Sequence, residues 1–174
     1  VSTPIEKIVT NFADFSGRTA AVESVEVRAR VGGYLEKVNF KEGELVHKGE
    51  VLFEIDPRPY QAQLDFAEAQ VRSKEAIFRR AQSDYYRAKT LAATTTGAIS
   101  QQELDQYKAD EDQALAEIET ARATVKTNAL NVEFTKVTSP IDGRASRFNV
   151  TVGNLVIQDQ TLLTTIVSAD PIYA

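Results

Sequence analysis

The chain of 174 residues contains no cysteine, no methionine and no tryptophan, and it has a single histidine. Without cysteine there can be no disulfide, no thiolate metal ligand and no thiol nucleophile. His47 lies in a polar, turn-like stretch and lacks the partners that a histidine metal site or an acid–base pair needs. We find no phosphate-binding loop and no nucleophile motif. The sequence therefore predicts a protein that is not an enzyme, with no catalytic residue, no metal and no cofactor.

Long apolar runs and an excess of basic residues are also missing. No segment approaches the roughly 20 apolar residues of a membrane-spanning helix, and the start at Val1 does not resemble a secretory signal. We therefore expect a soluble chain that has been processed or trimmed. The net charge is −5 and the pI is near 5.0. Nucleic-acid binding needs a basic patch or domain, so nucleic acid is excluded as an expected partner.

A segment near the beginning of the chain occurs again near its end. Residues 33–53 align without a gap on residues 143–163, which lie 110 positions further on. The identical pairs are Gly33/Gly143, Asn39/Asn149, Gly43/Gly153, Leu45/Leu155, Val46/Val156 and Leu52/Leu162. Alternating apolar residues before the first copy indicate strands with one buried face. Two such half-sandwiches can bury their apolar faces only against each other, so the chain between them must leave and return. Gly43 and Gly153 are expected in turns that require positive φ.

The intervening segment has the seven-residue period of a helical hairpin. Pro57 and Pro59 start the first helix, and a seam of apolar residues follows in steps of four and three, with Lys74 as its one charged member. This seam comprises Tyr60, Leu64, Ala67, Val71, Lys74, Phe78, Ala81, Tyr85 and Ala88. After a break at residues 94–97, Ser100 and Glu103 form a capping-box pattern at the start of a second helix. Its seam comprises Leu104, Tyr107, Glu111, Ala114, Ile118, Ala121 and Val125.

The two arms of the hairpin carry opposite charge. Residues 57–91 contain seven basic and four acidic residues, whereas residues 100–131 contain seven acidic and three basic residues. Opposite charges favour antiparallel pairing of the arms, although each exposed ion pair contributes less than about 1 kcal/mol. A simple solvated helix surface is the alternative interpretation of these charges.

Four short phrases, in this order, are similar to one known family. They are residues 38–43 (VNFKEG), 52–57 (LFEIDP), 134–143 (FTKVTSPIDG) and 170–174 (DPIYA). Together with the order of half-domain, hairpin and half-domain, they resemble periplasmic adaptor proteins, also called membrane fusion proteins. The resemblance is strongest to the adaptors of resistance-nodulation-division tripartite efflux pumps, and it covers essentially the whole chain.

The resemblance implies an α+β fold: a split lipoyl-like β-sandwich, interrupted by a long antiparallel α-helical coiled-coil hairpin, with remnants of an incomplete β-barrel domain. Residues 1–21 would be strands of the β-barrel domain. Residues 22–56 and 132–168 would be the two halves of the lipoyl-like domain, residues 57–131 the hairpin with its tip at about 92–99, and residues 169–174 the start of the β-barrel. Residues 1–21 are expected to pair poorly within the chain, and the junctions at Asp56–Pro57 and Asn131 are expected to be unbraced and flexible.

The resemblance also implies a role. Family members link an inner-membrane, proton-driven efflux transporter to an outer-membrane channel of the TolC type, in the periplasm, and they self-associate into a ring. They are associated with the inner membrane, a lipid anchor being one means of attachment. The family's tip residues are an arginine, a leucine four positions later and a serine that begins the second helix, and Arg87, Leu91 and Ser100 occupy these places. Ile99 adds an apolar residue at the tip, and the stretch at residues 92–97 is longer than is usual in the family.

Several alternatives remain open on the sequence alone. Ser100 would be chosen as a helix cap whether or not it binds a partner. A lipoyl or biotin carrier would need a modifiable lysine in a tight turn where this chain has the long insert, and a purely structural rod would leave the repeated β-segments unexplained. An adaptor of an ATP-driven or type I secretion pump is the main alternative function. The lack of methionine, a ligand for soft cations, favours organic and amphiphilic export substrates over metal ions.

Overall fold

In a computed structural model, which describes residues 20–95, 98–169 and 172–173, two four-stranded sheets form a sandwich, and a pair of long helices is inserted between two neighbouring strands of one sheet. The strands are β1 (Ala20–Ala21), β2 (Ser24–Arg28), β3 (Gly33–Val38), β4 (Leu45–Val46), β5 (Val51–Ile55), β6 (Lys136–Thr138), β7 (Gly143–Ala145), β8 (Leu155–Val156), β9 (Leu162–Val167) and β10 (Ile172–Tyr173). The helices are α1 (Arg58–Thr94) and α2 (Gln101–Phe134). The predicted split sandwich with an antiparallel helical hairpin is confirmed.

Strands of each repeated segment pair with strands of the other segment. The strand order is β2-β9-β7-β4 in one sheet and β6-β5-β3-β8 in the other. Strand β4 of the first copy pairs with β7 of the second, through Val46 and Gly143. In the same register, β8 of the second copy pairs with β3 of the first, through Val156 and Gly33. Neither half therefore completes a sheet alone, which is the physical reason why the insert must return to its starting point.

The core lies between the two sheets and contains apolar side chains of both copies. Its largest fully buried apolar residues are Leu35, Val46, Leu52, Phe53, Ile55, Val156, Leu163 and Ile166. Phe40 packs edge-on against Phe53, with ring centroids 5.2 Å apart. Val27 of β2 and Val137 of β6 are also buried and are again 110 positions apart. The structural repeat therefore includes one strand more than the sequence alignment indicated.

Glycines mark the turns of both copies, as predicted. Gly43 has φ 78° and Gly153 has φ 91°, a region that side chains with a Cβ rarely occupy. The amide of Gly43 donates to the carbonyl of Ala145, and that of Gly153 donates to the carbonyl of Leu35. Each turn is thus bound to a strand of the other copy.

The hairpin follows the predicted seams closely. All nine seam positions of α1 are buried or half-buried, and Ala114 and Ile118 are the buried residues of α2. The two charged seam residues are ion-paired: Lys74 Nζ lies 2.8 Å from Glu117 Oε2 across the hairpin, and Lys108 Nζ lies 3.0 Å from Glu111 Oε2. Tyr107 is the exception, because it is 39% exposed.

Both helices are longer than predicted. Helix α1 continues to Thr94, because the backbone bonds persist to this point and the Thr95 amide still donates to the Leu91 carbonyl one turn earlier. Helix α2 continues to Phe134 and not to residue 131, because Phe134 packs against the core and lies under the Arg30 guanidinium at 5.1 Å. The linker between the helices is therefore residues 95–100.

The junction of hairpin and sandwich is braced, which contradicts the expectation of an unbraced one. The Tyr60 hydroxyl donates to the carbonyl of Gly32 at 2.6 Å, and the Ile55 amide donates to the carbonyl of Thr135 at 2.8 Å. Asp56 holds the Arg58 side chain at 2.6 Å. Both helix ends are thereby tied to the sheets; flexibility of the junctions stays a prediction.

The two ends of the described chain pair with each other in a separate ladder. Ala20 and Ala21 are antiparallel partners of Tyr173 and Ile172. The expectation that residues 1–21 pair poorly is thus wrong for its last two residues, because β10 supplies the strand that they need. Residues 1–19 lie outside the described part of the chain. No helix in that described part is long and apolar enough to span a membrane.

Candidate partner-binding site at the hairpin tip

The distal end of the hairpin is formed by the last turn of α1, a short linker and the first turn of α2. The Thr95 amide donates to the Leu91 carbonyl at 3.0 Å and closes α1. The Ala98 amide donates to the Thr95 carbonyl at 3.2 Å. Helix α1 has 37 residues, which at about 1.5 Å per residue places this tip roughly 55 Å from the sandwich.

Ser100 caps α2 in the arrangement that the sequence predicts. Its hydroxyl accepts from the Glu103 amide at 3.2 Å, and its own amide donates to Glu103 Oε2 at 2.8 Å. The hydroxyl also donates to that carboxylate at 2.9 Å. These bonds from the backbone and side chain of Ser100 lower the pKa of Glu103. The capping role of Ser100 is therefore satisfied within the chain, and partner binding through Ser100 stays a prediction.

Leu91 and Ile99 supply apolar surface on either side of the linker. Leu91 is 45% exposed, whereas Ile99 is half-buried. Ala88, one turn before Leu91, lies buried in the seam. The helix contact therefore ends before Leu91, and this side chain remains accessible to another molecule.

Arg87 stands one turn from Leu91 on the same helix, so the two side chains are neighbours. The Arg87 side chain is 74% exposed, and its guanidinium donates to Asp84, which also lies 3.8 Å from Arg80. Asp84 thus fixes the direction of Arg87 while leaving much of its charge accessible. An exposed apolar side chain beside a positioned cation can bind a helix surface that combines an apolar residue with a carboxylate or a carbonyl group.

One exposed aromatic residue near the tip was missed by the sequence analysis. Tyr86 is 71% exposed, while its neighbour Tyr85 lies in the seam with Lys108 Nζ 5.4 Å from its ring centre. Because Tyr85 was assigned to the seam, the adjacent residue had to face away from α2, and this was the available signal. A large exposed aromatic side chain is a common feature of protein interfaces.

The surroundings of the single histidine offer little chemistry. His47 Nδ1 lies 3.3 Å from Asp142 Oδ1, and both side chains are exposed. Hydrogen bonds from the Lys48 amide and from His47 lower the pKa of Asp142. In the part of the chain that the structure describes, no three histidine, aspartate or glutamate side chains converge as metal ligands would. The histidine and this carboxylate join the two halves of the sandwich at the surface.

A β-sandwich that is split by an antiparallel helical hairpin defines the class of membrane fusion proteins. One solved structure with this fold is a chimera of MacA and MexA that contains the α-hairpin domain of Pseudomonas aeruginosa MexA. It superposes with a TM-score of 0.54 at 32% identity, over 86% of this chain and 49% of the chimera.

The chain belongs to the RND membrane fusion protein family, because residues 23–168 match the family model described as "RND MFP, barrel-sandwich hybrid domain". It is 44% identical to the multidrug efflux pump subunit AcrA of Escherichia coli K12 over 161 residues. This alignment covers 92% of this chain and 40% of AcrA. It is 41% identical to the efflux pump periplasmic linker BepD of Brucella suis, over 92% of this chain and 40% of BepD. The chain thus spans about 40% of the length of these relatives. Membership of this family of adaptors confirms that the chain is not an enzyme.

Proposed function

We propose that this chain is part of a periplasmic adaptor subunit of a tripartite multidrug efflux pump. Through the hairpin tip, the adaptor would bind an outer-membrane channel of the TolC type, and it would connect this channel to a proton-driven transporter in the inner membrane. In the full-length protein the adaptor would lie in the periplasm, associated with the inner membrane, and several copies would form a ring.

The observation that carries the proposal is the combination of a braced base and an accessible tip. The hairpin is tied to the sandwich through Tyr60 and Phe134, so a load applied to the tip is transmitted to the sheets. At the other end, Leu91 and the positioned Arg87 are exposed. This distribution fits a spacer that binds its partner end-on. The names of the relatives, which describe an efflux pump subunit and a periplasmic linker, support the same role.

The alternative of an ATP-driven or type I secretion pump is less well supported. The family model that matches residues 23–168 is the one for RND membrane fusion proteins, and AcrA is a multidrug efflux pump subunit. Export of organic compounds, which the lack of methionine favours, is consistent with a multidrug pump.

Because the chain has no cysteine, the proposal can be tested by site-directed crosslinking. Single cysteines replace Leu91, Thr95 and Ser100 in the full-length protein, and a bifunctional thiol-to-amine reagent is applied to cells. Crosslinked partners are then identified by mass spectrometry. We expect adducts between the tip positions and an outer-membrane channel.

The matched control is Ala69→Cys, an exposed position on α1 close to the base. It should yield no channel adduct, because it lies far from the tip. Equal channel adducts from Ala69→Cys and from the tip, or adducts only to other copies of the chain, would contradict end-on docking. A charge-conserving Arg87→Lys variant should bind the channel better than Arg87→Ala if the cation contributes to docking.

A further inference from the structure

A groove runs along one side of the sandwich, between the strands β2 and β6. Each of these is an outermost strand of its sheet. They are equivalent in the repeat, because residues 26–28 and 136–138 lie 110 positions apart. The groove has a volume of about 520 Å³, within the range of about 300 to 1,000 Å³ that is usual for small-molecule sites. It lies in the sandwich and not at the hairpin tip, so the proposed docking does not use it.

The two ends of the groove have different surroundings. Strand β2 begins beside the end of β9, where Ser24 is the cross-strand partner of Val167. The chain then runs towards the hairpin, where the Arg30 guanidinium lies 5.1 Å from the centre of the Phe134 ring. We call the end of the groove near Phe134 the hairpin end, and the end near Ser24 the opposite end.

The opposite end and the middle of the groove are apolar. Val25, Val51 and Pro140 line the opposite end, and both valines are half-buried. Further along lie Val27 and Val137, which are 5% and 8% exposed. An alkyl chain or a ring that lies on these side chains removes apolar surface from water.

The hairpin end of the groove carries charges of both signs. Arg30 and Lys136 supply two cations, and Glu133 and Asp159 supply two carboxylates. All four residues are exposed, and none of them forms an ion pair within the part of the chain that the structure describes. Their charges are therefore available to a headgroup.

The other two charged residues of the groove are bonded to each other. Arg28 donates to Glu26 at 2.8 Å and to the carbonyl of Gln160 at 2.9 Å. The second bond holds the loop that carries Asp159, which has φ 58°. In the first repeated segment the equivalent position is Gly49, so the turn itself does not require a carboxylate there.

We infer that this groove binds an elongated amphiphile with a zwitterionic headgroup. The apolar part of the ligand lies along Val27 and Val137 towards Val25. Its headgroup lies at the hairpin end, with the anionic group at Arg30, since a guanidinium bonds a carboxylate well, and the cationic group at Asp159. A headgroup with one charge leaves groups of its own sign unpaired at this end. The inference goes beyond the proposed function, because the site needs neither a channel nor a transporter.

The test compares three probes that share a dodecyl tail. They are the zwitterion N-dodecyl-N,N-dimethylglycine, the anion dodecanoate and the cation dodecyltrimethylammonium. Each is added, below its critical micelle concentration, to the isotope-labelled full chain, and backbone amide shifts are followed by NMR. We expect saturable shifts in residues 25–30 and 134–138. The zwitterion should bind about tenfold more tightly than either other probe, because it gains one further charge-assisted hydrogen bond.

Two substitutions separate the two charges of the headgroup. In Arg30→Gln the zwitterion should lose its preference over dodecyltrimethylammonium. In Asp159→Asn it should lose its preference over dodecanoate, while asparagine still tolerates the positive φ. A general loss of structure would weaken all three probes alike and could not give these two different patterns. The matched controls Arg144→Gln and Glu42→Gln are exposed and do not line the groove, so they should leave all three affinities unchanged.

The apolar end has its own variant. Val25→Asp places a charge there and should weaken all three probes. Thermal unfolding followed by circular dichroism establishes that each variant is folded, and the two headgroup variants suffice if Val25→Asp is not.

Three results would overturn the inference: equal affinities for the three probes, the absence of saturable shifts, or shifts centred on the exposed Tyr34 and Leu155 instead of the groove. Crosslinks from the tip to the channel are a separate readout. Loss of the ligand site and failure of the proposed function can therefore be distinguished.

Discussion

At the residue level, Gly143 in strand β7 and Gly43 in a turn are each required, but for different physical reasons. A Cβ on Gly143 would lie 2.3 Å from the carbonyl oxygen of Val167, which is backbone and cannot move aside. A Cβ on Gly43 would meet nothing within 4 Å, but the residue has φ 78°. The first glycine is therefore needed for space and the second for its backbone conformation.

This difference predicts unequal costs of alanine. Gly43→Ala should lower the free energy of unfolding by about 1 to 2 kcal/mol, the usual penalty for the left-handed region. Gly143→Ala should cost about 3 kcal/mol or more, because the β7–β9 ladder must shift. Urea denaturation of both variants measures the two values. Equal costs would contradict the interpretation that Gly143 is needed because a Cβ has no room and Gly43 because of its positive φ.

Asp56 makes the junction sensitive to acid. Hydrogen bonds from the Arg58 side chain and backbone lower the pKa of this carboxyl from 3.8 to about 2. Because the folded-state pKa is the lower one, the stabilisation is complete above the unfolded-state pKa and is lost as the pH falls from about 4 towards 2. The stability difference between the unaltered chain and Asp56→Asn should therefore shrink over this interval. A difference that stays constant from pH 7 to pH 2 would contradict this role of the Asp56–Arg58 pair.

Among the elements, the first turn of α1 is joined to the sandwich by one side-chain hydroxyl. Tyr60 donates to the Gly32 carbonyl at 2.6 Å in a partly buried position. Tyr60→Phe should lower the free energy of unfolding by about 1 kcal/mol and speed hydrogen exchange of the Gln61 amide, which bonds to the Pro57 carbonyl. Tyr86→Phe is the matched control, because Tyr86 is 71% exposed. Unchanged exchange in Tyr60→Phe would show that the other contacts hold the junction without the Tyr60 hydroxyl.

The sequence predicted those elements whose pattern repeats. The alternation of the strands, the 110-residue repeat and the seam from Tyr60 to Ala88 all have a period that one face of an element must satisfy. The helix ends were predicted less well. Phe134 extends α2 because it packs on a core formed by residues distant in sequence, and Tyr107 is exposed although it fits the period. Such outcomes depend on contacts that no local pattern contains. The tip residues were placed by family resemblance, and their binding role stays a prediction.

For the whole molecule, the pairing of strands between the two repeated segments of the chain decides how the domain folds. Because β4 pairs with β7 and β8 pairs with β3, neither half buries its apolar face without the other. The hairpin enters and leaves at adjacent points, since Glu54 and Lys136 are cross-strand partners and Ile55 bonds to Thr135. The helices therefore lengthen the molecule without being needed to close the sheets.

We predict that replacing residues 56–134 by Asn-Gly leaves a cooperatively folded β-domain. The two residues would join Ile55 to Thr135 as a tight hairpin turn, for which Asn-Gly is a preferred sequence. The shortened chain should be a few kcal/mol less stable, because Tyr60 and Phe134 no longer pack on the core.

Thermal unfolding followed by circular dichroism should show a single cooperative transition and a loss of helical signal. Residues 20–55 alone and 135–173 alone should remain unfolded, and mixing them should restore sheet structure only at high concentration, because the connection no longer holds the halves together. A shortened chain that stays unfolded while the complete chain folds would show that the hairpin, and not the pairing of the two repeats, organises the domain.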